Sequence, residues 1–241
     1  MALFMHFCTY VFKILTIPLQ IAEVLGIYSY YRRLFPFLVY KISVSYNVKM
    51  NEKKRELFRN LSKFTSNGSL RILEIGCGSG ANFEHYPTAS KIICTDPNPH
   101  FKDYLQKSMA KNDHLVYEGF VVASGEDLRT IEDNSVDVVV CTLVLCSVRN
   151  TPVVLKEARR ILRPGGAFFF MEHVVSDPST WIYFFQHVIQ PLWYYFGDGC
   201  EVTRATWVDL EAAGFSELHL RHIQAPLSAL IKPHIVGYAV K

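Results

Sequence analysis

Leu73-Glu74-Ile75-Gly76-Cys77-Gly78-Ser79-Gly80-Ala81-Asn82-Phe83 is the stretch on which the fold turns. An apolar run from Leu70 ends at Ile75 with one acid inside it. Glycines at 76, 78 and 80 then let the backbone turn tightly and approach a ligand closely. The pattern predicts a strand, a ligand-binding turn and the opening of a helix. Gly76-x-Gly78-x-x-Ala81 also fits the dinucleotide fingerprint, with Asp96 lying 20 residues beyond Gly76.

Working outward, the chain alternates. A helix over Asn51–Phe64 and a turn at Asn67–Gly68 lead into the strand Leu70–Ile75. Beyond the glycine loop come a helical pattern, a strand at Lys91–Thr95, a helix at Pro99–Lys111, a short strand at Tyr117–Val122 and a second loop, Ala123–Asp127. Val136–Cys141 is continuously apolar, as a parallel strand buried on both faces should be. The helix Pro152–Leu162 stops at Arg163-Pro164-Gly165-Gly166, and Ala167–Met171 is the next strand. Such alternation predicts a doubly wound α/β fold, a mostly parallel sheet with helices on both faces. The tail departs from it: a helix at Thr206–Ala213, then strands at Glu217–Arg221 and Ile235–Val240. Pro226 and Pro233 lie between these, which suits a hairpin with a long loop.

Acids stand at three successive strand ends, where open α/β sheets bind ligands. Glu74 is placed to meet a ligand's ammonium group and would sit badly beside a pyrophosphate. Asp96 can accept from both hydroxyls of a ribose. Gly125-Glu126-Asp127 follows the third strand, where an acid can accept from an adenine amino group. The glycine motif alone leaves NAD and S-adenosylmethionine open; the acids favour the second.

The 241 residues suit one catalytic domain with a short appendage, and 50% of them are hydrophobic. The surplus lies in residues 1–46 and 181–196. A formal net charge of +3 gives no stripe for nucleic acid, and none is expected as a partner. Cys8, Cys77, Cys94, Cys141, Cys146 and Cys200 form no C-x-x-C pair and have no histidine at zinc spacing, so a reduced, cytosol-facing domain without metal is expected. The apolar N-terminus lacks the basic start of a signal peptide. Gln20 and Glu23 would sit badly inside a bilayer and Pro18 interrupts the run, so an interfacial or hairpin-like anchor is the better reading. The bland alternative is a helix covering the domain. Arg32, Arg33, Lys41, Lys49, Lys53, Lys54 and Arg55 follow the apolar stretch and place that side in the cytosol. The expected division is residues 1–48, an apolar anchor and basic connector, and residues 49–241, the catalytic domain.

LEIGCGSG (73–80), CTDPNP (94–99), SGEDL (124–128), VDVVVCTLVLCSV (136–148) and LRPGGAFFFMEHV (162–174) resemble the class I methyltransferases. More narrowly, VCTLVLCSV, DPNPHF, Gly197-Asp198-Gly199-Cys200 and Pro233-His234-Ile235 resemble the methyltransferase-like thiol S-methyltransferases of endoplasmic reticulum and lipid droplets. The resemblance implies a seven-stranded, Rossmann-like sheet and S-adenosylmethionine as cofactor. It implies that Glu74 and the loop Gly76-Cys77-Gly78-Ser79-Gly80 contact the methionine part. Asp96 with Pro97 and Asn98 would take the ribose, Gly125, Glu126 and Asp127 would flank the adenine, and Cys141, Thr142 and Leu143 would line the cofactor floor. It also implies a location on the endoplasmic reticulum membrane and lipid droplets, with the catalytic domain in the cytosol.

The acceptor expected from this is a small apolar thiol, admitted by the aromatic segment Trp181–Phe196, whose apolar residues surround a helix on nearly every side. Charged thiols would be desolvated there without partners. Methyl transfer from a sulfonium needs no covalent enzyme intermediate, so Cys77 and Cys146 are not read as nucleophiles, and His173 and His187 are only candidate proton acceptors. The alternatives are a methyltransferase acting on a lipid or quinone-like acceptor and a membrane or lipid-droplet scaffold. A dinucleotide-dependent oxidoreductase is disfavoured, because no Tyr-x-x-x-Lys pair follows the fourth strand.

Overall fold

The computed structural model describes residues 2–65 and 68–241; Asn67 of the expected Asn67–Gly68 turn lies outside the described residues. At the centre is β1 (Arg71–Ile75), buried from Ile72 onward because it has a parallel neighbour on each side. These are β2 (Lys91–Asp96) and β4 (Val136–Thr142). Outward from β2 lies β3 (Val116–Val122), and outward from β4 lies β5 (Leu162–His173), both parallel to their neighbours. The hairpin β6 (Glu217–Gln224) and β7 (Pro233–Val240) completes the seven-stranded sheet, with β7 antiparallel to β5. The order β3-β2-β1-β4-β5-β7-β6 reverses direction at β1, so the crevice beyond its carboxyl end is where this fold binds ligands.

Alternation along the strands divides the core in two. Ile72, Val138, Val140, Phe169 and Met171 form one cluster with Met50, Leu57 and Phe58. Those three come from the long helix α3 (Tyr28–Phe58), which follows α1 (Ala2–Leu15) and α2 (Ile17–Val24). Leu73, Ile75, Val139, Cys141, Phe168 and Phe170 form the other cluster with residues of α5 (Thr151–Ile161) and α7 (Thr206–Ala212). The remaining helices are α4 (Lys102–Met109), set beside the glycine loop, and α6 (Trp181–Phe196).

Several local expectations are corrected. The glycine loop opens no α-helix; it runs through turns into a single 3-10 turn, Phe83–His85. Gly80 adopts φ +74°, and Pro87 confines Tyr86 to extended backbone at φ −82°, ψ 144°, which leaves no room for a further turn. The expected helix Asn51–Phe64 is the end of α3 followed by a 3-10 turn, Arg59–Phe64. β5 starts at Leu162 and continues to His173, with a register shift against β4 between Leu162 and Ala167 where Pro164-Gly165-Gly166 lie.

Pro18 falls in the first turn of α2, and the apolar N-terminus bends there by 42° between Leu3–Leu15 and Ile17–Val24. Among the described residues no single helix is long and apolar enough to cross a membrane, although that bent pair is, by length and composition. α3 continues unbroken through residue 48. The ring of Phe4 stacks on Phe184 of α6 at 5.9 Å, and Thr9 and Tyr28 donate hydroxyl bonds to the His187 and Tyr195 carbonyls of the same helix.

Candidate functional site

A cavity of about 350 Å³ lies beyond the carboxyl ends of β1, β2, β4 and β5, closed from above by α3 and from one side by α6. Two of its walls come from the glycine loop. Gly76 holds φ +61°, and a Cβ there would lie 2.4 Å from a Val144 methyl, so only glycine fits. Gly78 holds φ +51°, but its side facing the cavity is open: the nearest atom to an added Cβ is the Phe101 ring at 3.7 Å.

Glu74 is fully buried and accepts from Asn82 Nδ2 at 2.8 Å and from the Tyr86 hydroxyl at 2.6 Å. Burial lifts its carboxyl to about 7, against the pull of those two donors and of Lys54. The Oδ1 of Asn82 is buried without a partner. Lys54 reaches in from α3, donates to Asn47 Oδ1 and to the Ala81 carbonyl, and is lowered to about 8 by its burial. It therefore does not belong to the basic surface cluster in which its sequence position places it. At the end of β2, one oxygen of Asp96 accepts the Gly78 N–H at 3.1 Å and the other the Asn98 N–H at 2.8 Å. Burial raises Asp96 to about 6 even so. Asn98 in turn donates to the Arg32 carbonyl of α3, which ties the lid to the ribose-type loop.

Of the expected site residues, Glu74, Gly76, Cys77, Gly78, Asp96, Pro97, Asn98, Thr142 and Leu143 line this one cavity. Gly80 does not line it; its place is taken up by Phe83 and Ser108, and Ser108 donates to its carbonyl. Gly125, Glu126 and Asp127 also lie outside the lining. Glu126 accepts from the Arg149 and Asn150 N–H groups, and Asp127 faces solvent against Arg129. Cys141 is buried in the core with its sulfur 3.8 Å from Glu172 Oε1. That carboxyl also accepts the Val144 N–H, pinning the β4 loop in which Leu143 takes φ +58°, a strained value for a branched residue.

Sequence reasoning missed several lining groups. Phe35, Val39, Ile42 and Tyr46 lie in the segment 1–48 read as anchor and connector, and Lys54 is read among the basic residues that follow the apolar stretch. It also missed a cluster in which Cys146, His173 and Cys200 converge, because these lie on three different elements. His187, the other histidine considered, is bonded within α6 to the Tyr183 carbonyl and is no part of the cavity.

The residues present suit S-adenosylmethionine. An open glycine side, an unpartnered buried acceptor on Asn82 beside a carboxylate, and a second carboxylate held by backbone N–H groups are what its ammonium and ribose require.

Fold and site together define a class I S-adenosylmethionine-dependent methyltransferase. Residues 73–170 match the family described as a methyltransferase domain. A SAM-dependent methyltransferase from Aquifex aeolicus superposes with a TM-score of 0.58 at 16% identity, over 85% of this chain and 97% of that one. Thiol S-methyltransferase TMT1A of Homo sapiens is 54% identical over 90% of both chains, and TMT1B of Homo sapiens is 50% identical over 95% of both. The chain belongs to this thiol S-methyltransferase family.

Proposed function

We propose that the chain transfers the methyl group of S-adenosylmethionine to the sulfur of small apolar thiols that reach it from a membrane surface. The observation that carries this reading is Ile42, which lines the cavity and is also 67% exposed on α3. The cavity thus opens beside an apolar surface. Leu3 (88% exposed), Val24 (87%) and Trp181 (68%) extend that apolar character over α1, α2 and α6. Apolar area on this scale is seldom left to water, and the interfacial reading of the N-terminus accounts for it. By the relatives' names the family acts on thiols; the endoplasmic reticulum or lipid-droplet surface is the location we assign, with the domain in the cytosol.

Within the cavity, Glu74 and Asn82 Oδ1 hold the cofactor's ammonium, Lys54 faces its carboxylate, and Asp96 takes the ribose. When bound, the cofactor supplies an electrophilic methyl on a sulfonium. Phe35, Val39, Phe101 and Trp193 exclude water and position an apolar acceptor, which is where most of the rate gain for so nucleophilic an atom arises. Phe35, Val39, Ile42 and Phe101 offer an anionic thiol no partner, so such a thiol is desolvated without compensation. Labelled-methyl transfer to a panel of alkyl thiols, quinols and lipid hydroxyls tests the reading: thiols alone should be methylated, and a preference for an oxygen acceptor would overturn it.

A further inference from the structure

Cys146, His173 and Cys200 come from the loop after β4, the end of β5 and the loop after α6. All three are buried, all line the cofactor cavity, and their ligand atoms lie within 4.8 Å of one another. His173 Nε2 stands 3.0 Å from Cys200 Sγ, and the two sulfurs are 3.6 Å apart. The Trp193 indole N–H also points at Cys200 Sγ, at 3.2 Å. Three polar groups therefore converge on one buried sulfur. A neutral thiol is a weak donor and a weak acceptor and does not reward that arrangement. A metal-bound thiolate does: it accepts the indole N–H while the imidazole and the second sulfur share the metal.

From these positions we infer that Cys146, His173 and Cys200 form a zinc site whose fourth position opens into the cavity and takes the acceptor thiol. Zinc–sulfur bonds of about 2.3 Å and zinc–nitrogen bonds of about 2.0–2.1 Å at tetrahedral angles put two sulfurs about 3.7 Å apart, and sulfur and nitrogen about 3.5 Å apart. The sulfur pair already has that spacing, and the imidazole needs to withdraw by only about half an ångström. Three protein ligands of this type with one open position define a catalytic rather than a structural zinc site.

The site deepens the thiol reading and rests on it. A thiol entering the fourth position loses its proton to bulk water through the cavity mouth, because zinc stabilises the thiolate. The sulfur lone pair then forms the new S–CH3 bond as the sulfonium–CH3 bond breaks, and that bond's electron pair stays on the departing thioether. The methylated product is uncharged, a poor zinc ligand, and leaves.

The test uses the full-length protein, purified in detergent from zinc-supplemented cells. Metal analysis should find about one zinc per chain. Cys200→Ser and Cys146→Ser should lose it while still binding S-adenosylmethionine, which reports that they fold. Cobalt(II) in place of zinc should give the thiolate charge-transfer and strong visible bands of a tetrahedral site. Rates for two apolar thiols of different acidity should rise with pH through two midpoints, each below that thiol's own pKa and in the order of the thiols' acidities. A metal-free protein that methylates thiols, or a Cys146–Cys200 disulfide in the active enzyme, would overturn the zinc site and leave the thiol reading standing. A zinc-bearing protein that methylates no thiol would overturn the acceptor reading and the role given to the metal.

Discussion

Asn82 donates through Nδ2 to Glu74 Oε1 at 2.8 Å and keeps its own Oδ1 buried and without a partner. Both residues line the cavity, and a buried acceptor without a partner beside a carboxylate suits an ammonium group. Asn82→Ala should therefore weaken cofactor binding by about 1–3 kcal/mol, or roughly 5–150-fold, with little change in fold. Calorimetric titration checks it; unchanged affinity would remove Asn82 from the site.

Asp96→Ala should remove most cofactor binding. Each charge-assisted bond to a ribose hydroxyl is worth on the order of 1.5–3 kcal/mol. The same variant frees the Gly78 and Asn98 N–H groups, so the loop loosens as well. An Asp96→Ala protein that binds S-adenosylmethionine with native affinity would sink the ribose assignment.

The two glycines should respond differently. Gly76→Ala drives a methyl to 2.4 Å from Val144 in a left-handed backbone and should lower the melting temperature markedly. Gly78→Ala carries the left-handed cost of about 1–2 kcal/mol but meets no close atom, so it should fold and lose the cofactor. Melting curves with and without S-adenosylmethionine separate them. Equal behaviour of the two variants would contradict the picture of one glycine packed and the other open.

Burial raises Glu74 to about 7 and Asp96 to about 6. An acid whose pKa is raised on folding favours the folded state while protonated; that contribution is complete below the ordinary carboxylate range and is lost as pH rises through 6 and 7. The cofactor's ammonium and ribose hydroxyls favour the ionised forms. Between about pH 5 and 7.5 the ligand-free protein should thus lose stability, while the melting-temperature gain from S-adenosylmethionine grows. Lys54, lowered to about 8, acts only above that window. A gain that shrinks with rising pH would contradict the assignment.

Deleting residues 1–31 should release the protein from membranes. Flotation with vesicles checks this, and a truncated protein that still floats would move the attachment to α6, where Trp181 (68% exposed) and Phe196 (62%) remain.

Much of this was legible because strands buried on both faces announce themselves. Val136–Thr142, Lys91–Asp96 and the glycine loop needed only local rules. The seven-stranded, mostly parallel sheet came from the resemblance, and the structure bears it out; its strand order and the antiparallel pairing of β7 with β5 came only with the structure. What escaped was decided by distance along the chain. Lys54 reads as a surface cation until α3 folds across the sheet and buries it against Asn47 and Ala81. His173 reads as a lone histidine until β5 runs two residues beyond its expected end and sets it beside Cys200, 27 residues further on. The helix expected after the glycine loop failed because the periodicity gave no weight to Pro87.

The most direct measurement compares initial rates of labelled-methyl transfer from S-adenosylmethionine to a short uncharged alkyl thiol and to glutathione. The cavity's apolar lid predicts a preference for the uncharged thiol of at least about 100-fold, as desolvating uncompensated charge costs several kcal/mol. Glutathione methylated as fast as the alkyl thiol would contradict the account at its centre.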